Sequence, residues 1–254
     1  MIQGEFMDPT KLIALVTGTS RGIGRAIAIG LGKEGVSVVV NYRSRLDSAA
    51  EVAKKIVDAG GNAIVVKADV GNDNEVRAMV DHVVEKWGGI DILVNNAGIH
   101  KGGRIQKLTL EGWNLVITSS LGGAFHCCRR IVPLMVEKKW VELSTLLPTS
   151  LFMDIRGDTA YGAAKAGLLG ITLSLAKEVA SKGITVNAII PEYTPTDMTA
   201  GLFDTQEKID REIQNIPLRR PGRPEEIADM VNFLVFKGEY ITGTVIRVDG
   251  GLAM

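Results

Sequence analysis

Short apolar runs alternate with longer amphipathic stretches along the chain. Leu12–Val16, Val36–Val40, Ala63–Val66, Ile90–Val94, Val141–Leu147, Ile184–Ile190 and Thr244–Val248 are rich in β-branched residues. Apolar runs of this length suit strands covered on both faces, as in a parallel sheet. Between them, Ser48–Ala59 sets Ala49, Val52, Ala53, Ile56 and Val57 at helical spacing, with Glu51, Lys54, Lys55 and Asp58 opposite. Asn74–Trp87 repeats the design with Val76, Met79, Val80, Val83 and Val84. Pro224-Glu225-Glu226 opens a further helix, because proline fits a first turn and carboxylates complement the helix dipole there. Thr159–Ser181 is different: it is nearly all apolar and rich in Ala, Gly and Leu. A helix apolar on most sides is buried on most sides, so this one is expected to pack on another subunit.

Strand-then-helix alternation predicts an α/β fold: a Rossmann-like, doubly wound parallel sheet of about seven strands with helices on both faces. An eight-unit barrel is the competitor at this length. The glycine-rich turn after the first apolar run favours the open sheet. No composition break, repeat or linker divides the chain, so residues 7–254 read as a single dinucleotide-binding and catalytic domain. Residues 1–6 read as a tag or a disordered extension.

Composition narrows the function classes. Of 254 residues, 46% are hydrophobic and 23% charged, ordinary globular values that exclude disordered and collagen-like chains. The 29 glycines are about 11% of the chain against an average near 7%, which suggests tight turns and close backbone approaches. Lys+Arg and Asp+Glu are both 29, so no basic footprint for nucleic acid appears. The two cysteines, Cys127 and Cys128, are adjacent, which excludes a disulfide scaffold and fits the reducing cytoplasm. Gly112–Cys128, the longest stretch without Asp, Glu, Lys or Arg, is too polar to span a bilayer. The N-terminus lacks a basic segment followed by an apolar run, so no signal peptide is expected.

Four motifs could carry chemistry. Thr17-Gly18-Thr19-Ser20-Arg21-Gly22-Ile23-Gly24 follows the first strand and opens a helix. Its glycines allow a tight turn, backbone approach to a pyrophosphate and close helix–strand packing, with the helix N-terminus facing the phosphates. After the second strand comes Asn41-Tyr42-Arg43-Ser44-Arg45, without the acid that usually holds the ribose 2′-hydroxyl of NAD. Arg43 and Arg21 could instead clamp a 2′-phosphate, which predicts NADP. Asn95-Asn96-Ala97-Gly98 ends the fourth strand, where small residues let backbone meet a cofactor ribose. Tyr161 and Lys165 stand at i and i+4, on one helix face. An ammonium there is expected to lower the phenol pKa, so that the phenol exchanges a proton with a substrate oxygen.

Together these motifs resemble the short-chain dehydrogenase/reductase family over Lys11–Leu252. Asp69-Val70, Trp113, Tyr240-Ile241-Thr242-Gly243 and Val248-Asp249-Gly250-Gly251 add to the resemblance. Val40–Ser44, Pro217-Leu218-Arg219-Arg220 and Arg223–Glu226 are similar to the NADPH-dependent 3-oxoacyl carrier-protein reductases and related ketoreductases. The resemblance implies NADP(H) bound by Gly18, Ser20, Arg21, Gly22, Ile23, Gly24, Tyr42, Arg43, Ser44, Asp69, Val70, Asn95, Ala97, Gly98, Tyr161, Lys165 and Thr194. It implies a small-molecule carbonyl or carrier-bound acyl substrate, and a homotetramer or homodimer.

The chain departs from the family on the substrate side. Ser120 stands where the family's helical Asn falls, seven residues after Trp113, and Pro148 stands where its Ser falls, 13 residues before the Tyr. Thr149 is the nearest substitute hydroxyl. Glu192 replaces a glycine. Two readings follow. In one, Tyr161 is the general acid of a ketoreductase, Lys165 supports it and holds the ribose, and Thr149 and Ser120 orient substrate or water. In the other, the protein binds cofactor without efficient turnover, as a structural or regulatory subunit. His82, His100 and His126 are scattered without metal-ligand spacing. The Met198–Asn215 segment, variable in the family, is expected to set the substrate.

Overall fold

The computed structural model describes residues 8–138, 141–146, 157–195 and 205–254. Strands β1 (Ile13–Val16), β2 (Ser37–Tyr42), β3 (Asn62–Lys67), β4 (Ile92–Asn95), β5 (Val141–Leu146), β6 (Ile184–Pro191) and β7 (Val245–Val248) form one sheet. Their order is 3-2-1-4-5-6-7, and every pair is parallel. The open sheet, not the barrel, is therefore the fold.

Both sheet faces are covered, which explains the unbroken apolar runs. Ala14 and Val16 of β1 and Val38 and Val40 of β2 pack into one core with residues of helices α1 (Gly22–Lys33), α2 (Leu46–Asp58) and α8 (Pro224–Lys237). Ile13, Leu15 and Val39 point the other way, as the two-residue period of a strand requires. They join residues of α3 (Asp73–Trp87), α5 (Gly123–Lys138) and α6 (Thr159–Val179). Among the described residues no helix is long and apolar enough to cross a membrane.

The strand order places a ligand crevice. The chain runs from β1 outward through β2 to β3, then returns to put β4 on the other side of β1, with Val16 level with both Val40 and Val94. The connections leaving β1 and β4 diverge there, and a crevice opens at their carboxyl ends, the usual ligand site of such a sheet.

Two helices shape the far wall. Helix α4 (Leu110–Ile117) runs into α5 through a π-helical turn, Thr118–Gly122, where the Gly123 N–H reaches back to the Thr118 carbonyl. Such turns insert an extra residue and re-aim side chains, often at functional sites. Within the single chain, helix α6 is covered on one side only. One stripe, including Ala160, Ala164, Leu168, Thr172 and Ala176, is buried, while Ala163, Ala166, Gly170 and Leu173 are exposed. Helix α7 (Gln206–Gln214) lies in the segment that sequence left unassigned.

Candidate active site

The β1 side of the crevice is held by backbone and two asparagines. Gly18 has φ +69°, a left-handed conformation that glycine adopts without strain. Asn41 in β2 braces this turn: its Oδ1 accepts the Gly18 N–H (3.1 Å), and its carbonyl accepts the Thr19 N–H (3.0 Å) and hydroxyl (2.9 Å). Its amide donates to the Ala68 carbonyl beyond β3 (3.1 Å). Asn96, just beyond β4, braces the turn from the other side, donating to the Thr17 (2.7 Å) and Gly18 (3.1 Å) carbonyls. The Thr17 hydroxyl oxygen accepts the N–H groups of Asn96 (3.0 Å) and Ala97 (2.9 Å). A side chain on Gly24 would begin 2.6 Å from the Gly18 carbonyl oxygen, so α1 starts hard against the turn. The Arg21 side chain does not cap α1, which leaves its first turn to an anion.

The remaining dinucleotide-side residues line the same edge. Ser20 is half-buried and Arg21 exposed; Gly22 and Ile23 open α1. Tyr42 is buried at the end of β2, while Arg43 and Ser44 are exposed beyond it. Arg43 Nη1 lies 3.7 Å from an Asp69 carboxylate oxygen, bridging the ends of β2 and β3. Val70 packs on Gly123, and its carbonyl pairs with His126 Nδ1 (2.9 Å). Asn95 turns its amide toward Cys128 Sγ (3.6 Å), and its Oδ1 is a buried acceptor without a hydrogen-bond partner among the described residues. Thr194 is buried, with its hydroxyl donating to the Glu192 carbonyl (3.2 Å). Glu192 itself is buried just beyond β6.

The α6 side is built from side chains. Tyr161 and Lys165 are buried in the first turns of α6, with Lys165 Nζ 5.5 Å from the centre of the Tyr161 ring. A side chain on Gly98 would begin 3.6 Å from Lys165 Nζ and 3.2 Å from Ser120 Oγ. Ala97-Gly98 therefore leaves an opening onto Lys165 and Ser120 that any larger residue would fill. The π turn brings Ser120 there, and its hydroxyl oxygen accepts the Ile99 N–H (3.4 Å).

The electrostatics correct one expectation. Burial pushes the Tyr161 phenol up, with the Asp158 charge adding to the effect, instead of the ammonium pulling it down. The same burial lowers Lys165 to about 8. Both groups resist the charged form because water is excluded from them. The two cysteines are buried; Cys128 is raised to about 11 by burial, which makes it a poor nucleophile.

Ser120, Tyr161, Lys165, Ala97 and Gly98 thus come together, while Thr149 and Pro148 lie outside the described residues. Sequence reasoning gave no role to Asn41 or Asn96, whose signal was a polar residue at the end of an otherwise apolar strand. It also passed over His100. His100 Nε2 pairs with Asp158 Oδ1 at 2.8 Å, and its ring meets the Tyr161 ring edge-on, centroids 5.1 Å apart. Arg220 grips Glu226 with two hydrogen bonds (2.9 and 2.6 Å). With the Arg223 N–H this holds Glu226 at about 2, and fixes the start of α8.

Comparison with known proteins finds relatives over nearly the whole chain. A family model described as enoyl-(acyl carrier protein) reductase matches residues 18–253. The chain is 42% identical over 247 residues to the 3-oxoacyl-[acyl-carrier-protein] reductase of Synechocystis sp., covering 96% of this chain and 98% of that one. It is 40% identical to 3-oxoacyl-[acyl-carrier-protein] reductase FabG of Staphylococcus epidermidis, covering 95% and 98%. Among solved structures, a putative short-chain alcohol dehydrogenase from Sinorhizobium meliloti superposes with a TM-score of 0.90 at 36% identity, covering 95% of this chain and 96% of that one.

Proposed function

Since the chain belongs to the short-chain dehydrogenase/reductase family, we propose that it reduces a ketone of the 3-oxoacyl type to a secondary alcohol with NADP(H). The observation that carries this is Tyr161 and Lys165 on one face of α6, beside the opening kept by Gly98. The relatives named as 3-oxoacyl reductases support the substrate class, either a small carbonyl compound or an acyl group on a carrier. The missing acid after β2, with Arg43 and Arg21 at the same edge, supports NADP(H) over NAD.

The residues present fit such a cofactor. The α1 N-terminus without a side-chain cap, the braced glycine turn and the buried Asn95 acceptor suit a dinucleotide across the crevice. The turn around Gly18 and Gly22–Gly24 would take the pyrophosphate, and Arg21, Tyr42, Arg43 and Ser44 the 2′-phosphate end. Asp69 and Val70 would meet the adenine; Asn95, Ala97, Gly98, Lys165 and Thr194 would meet the nicotinamide half. When bound, NADPH supplies the hydride.

The chain's own groups handle the proton. The Tyr161 hydroxyl donates to the carbonyl oxygen as that oxygen gains charge. The phenolate left behind is stabilised by the Lys165 ammonium and by the positive end of α6, in whose first turn Tyr161 lies. Ser120 would orient a water or the substrate, and Thr149 is the candidate for the second hydroxyl. The exposed stripe of small residues on α6 supports a homotetramer or homodimer, and the two buried thiols support a cytoplasmic protein.

The test is NADPH oxidation by purified protein against 3-oxoacyl thioesters and simple ketones. Turnover of the thioesters is expected. Tight NADPH binding without turnover of any ketone would overturn the proposal in favour of a non-catalytic subunit.

A further inference from the structure

His100 and Asp158 meet from segments far apart in sequence, and they meet on the reactive phenol. Asp158 holds the N-cap position of α6, where an aspartate would normally accept a first-turn N–H. It makes no such side-chain cap. Its carboxylate turns to His100 instead, at 2.8 Å, with the imidazole 38% and the carboxylate 13% exposed. The same junction is tied by backbone, since the Gly103 N–H donates to the Gly157 carbonyl at 2.7 Å. The imidazole then stands edge-on to the Tyr161 ring.

We propose that His100 is a positioning residue for the proton transfer: seated on Tyr161 and paired with Asp158, its charge state decides how much of the Asp158 charge the phenol meets. The inference rests on the reading of Tyr161 as the acid. With a neutral imidazole, the Asp158 carboxylate opposes formation of the phenolate, in line with its effect on Tyr161. With an imidazolium, the pair is neutral overall and that opposition is removed. Carbonyl reduction is therefore faster when the His100 imidazole carries a second proton, the form that acid favours.

The other charged groups on the surrounding elements are few. Among the described residues they are Lys165 near the start of α6 and Lys177 and Glu178 at its far end, Lys101, Arg104 and Lys107 on the connection that carries His100, and Glu111 on α4. The last four are exposed and screened by solvent. Lys165 is lowered to about 8 by its burial, which gives a fall of its own at alkaline pH.

The experiment is the pH profile of kcat for 3-oxoacyl thioester reduction in the native chain, His100→Gln, Asp158→Asn and Tyr161→Phe. It is paired with the pH titration of the Tyr161 ring carbon in cofactor-free protein carrying ¹³C-tyrosine. Asn caps helices as well as Asp, so Asp158→Asn keeps the start of α6. The native profile is expected to show a several-fold acidic step that His100→Gln lacks. Asp158→Asn is expected to raise kcat on the neutral side of that step and to make Tyr161 titrate at lower pH, results a merely structural role would not produce. Full activity in Tyr161→Phe would overturn the reading of the acid itself. An inactive Tyr161→Phe, with superimposable native and His100→Gln profiles and an unmoved Tyr161 titration in Asp158→Asn, would overturn the role of His100 alone.

Discussion

On the β1 side of the crevice the contacts run between backbone groups and two asparagines; on the α6 side they run between ionisable side chains. Asn41 and Asn96 tie the glycine turn to β2, β3 and β4 through main-chain carbonyls and N–H groups. Only a few residue types satisfy such a turn, and a wrong one collides with backbone. On the α6 side, Lys165 lies over the Tyr161 ring and His100 meets that ring edge-on, and burial shifts Tyr161 and Lys165 toward their neutral forms.

This contrast can be broken or sharpened by substitution. Lys165→Ala is expected to have the broadest effect, lowering kcat by about 10²–10⁴-fold and weakening NADPH binding together, as read by steady-state rates and fluorescence titration. The native reduction rate is also expected to fall as pH rises through about 8, because the ammonium that stabilises the phenolate is lost there. A rate that climbs through that range would contradict the placement of Lys165. Thr149→Val is expected to raise the barrier by roughly 2–4 kcal/mol, the scale of losing one polar stabiliser of an oxyanion. A silent Thr149→Val would remove Thr149 from the site.

The β1 side should respond in stability and affinity, not in chemistry. A methyl on Gly24 would collide with the Asn96 side-chain amide and sit 2.6 Å from the Gly18 carbonyl oxygen. Gly24→Ala is therefore expected to lower unfolding free energy by about 1–3 kcal/mol, the usual range for overpacking, and to abolish NADPH binding. Chemical denaturation and titration check both parts. The smallest effect is expected from Arg43→Ala, which should narrow the preference for NADPH over NADH by about 1–3 kcal/mol, the scale of a charged hydrogen bond. Arg43 already bridges to Asp69, so equal affinities in the native chain would remove it as the 2′-phosphate contact.

The two sides also differed in how far sequence could read them. The parallel sheet was legible because strands covered on both faces must be apolar throughout, and the glycine turn because its geometry admits little else. Asn41 and Asn96 were overlooked as braces because an asparagine declares no partner. The amphipathic α7 fell in a segment judged only by its variability. On the α6 side, i to i+4 spacing was enough to pair Tyr161 with Lys165. The direction of the Tyr161 shift was not legible, since it follows from burial that only the packed structure defines. His100 was passed over because its partner Asp158 lies 58 positions away.

The central claim is that Tyr161 delivers the proton, and the most direct measurement is kcat and NADPH affinity on one preparation of Tyr161→Phe. The account predicts a loss of about 10²–10⁴-fold in kcat with NADPH affinity barely changed, since the phenyl ring keeps its packing and only the hydroxyl is gone. Retained turnover, or a loss that appears wholly as weakened cofactor binding, would contradict it.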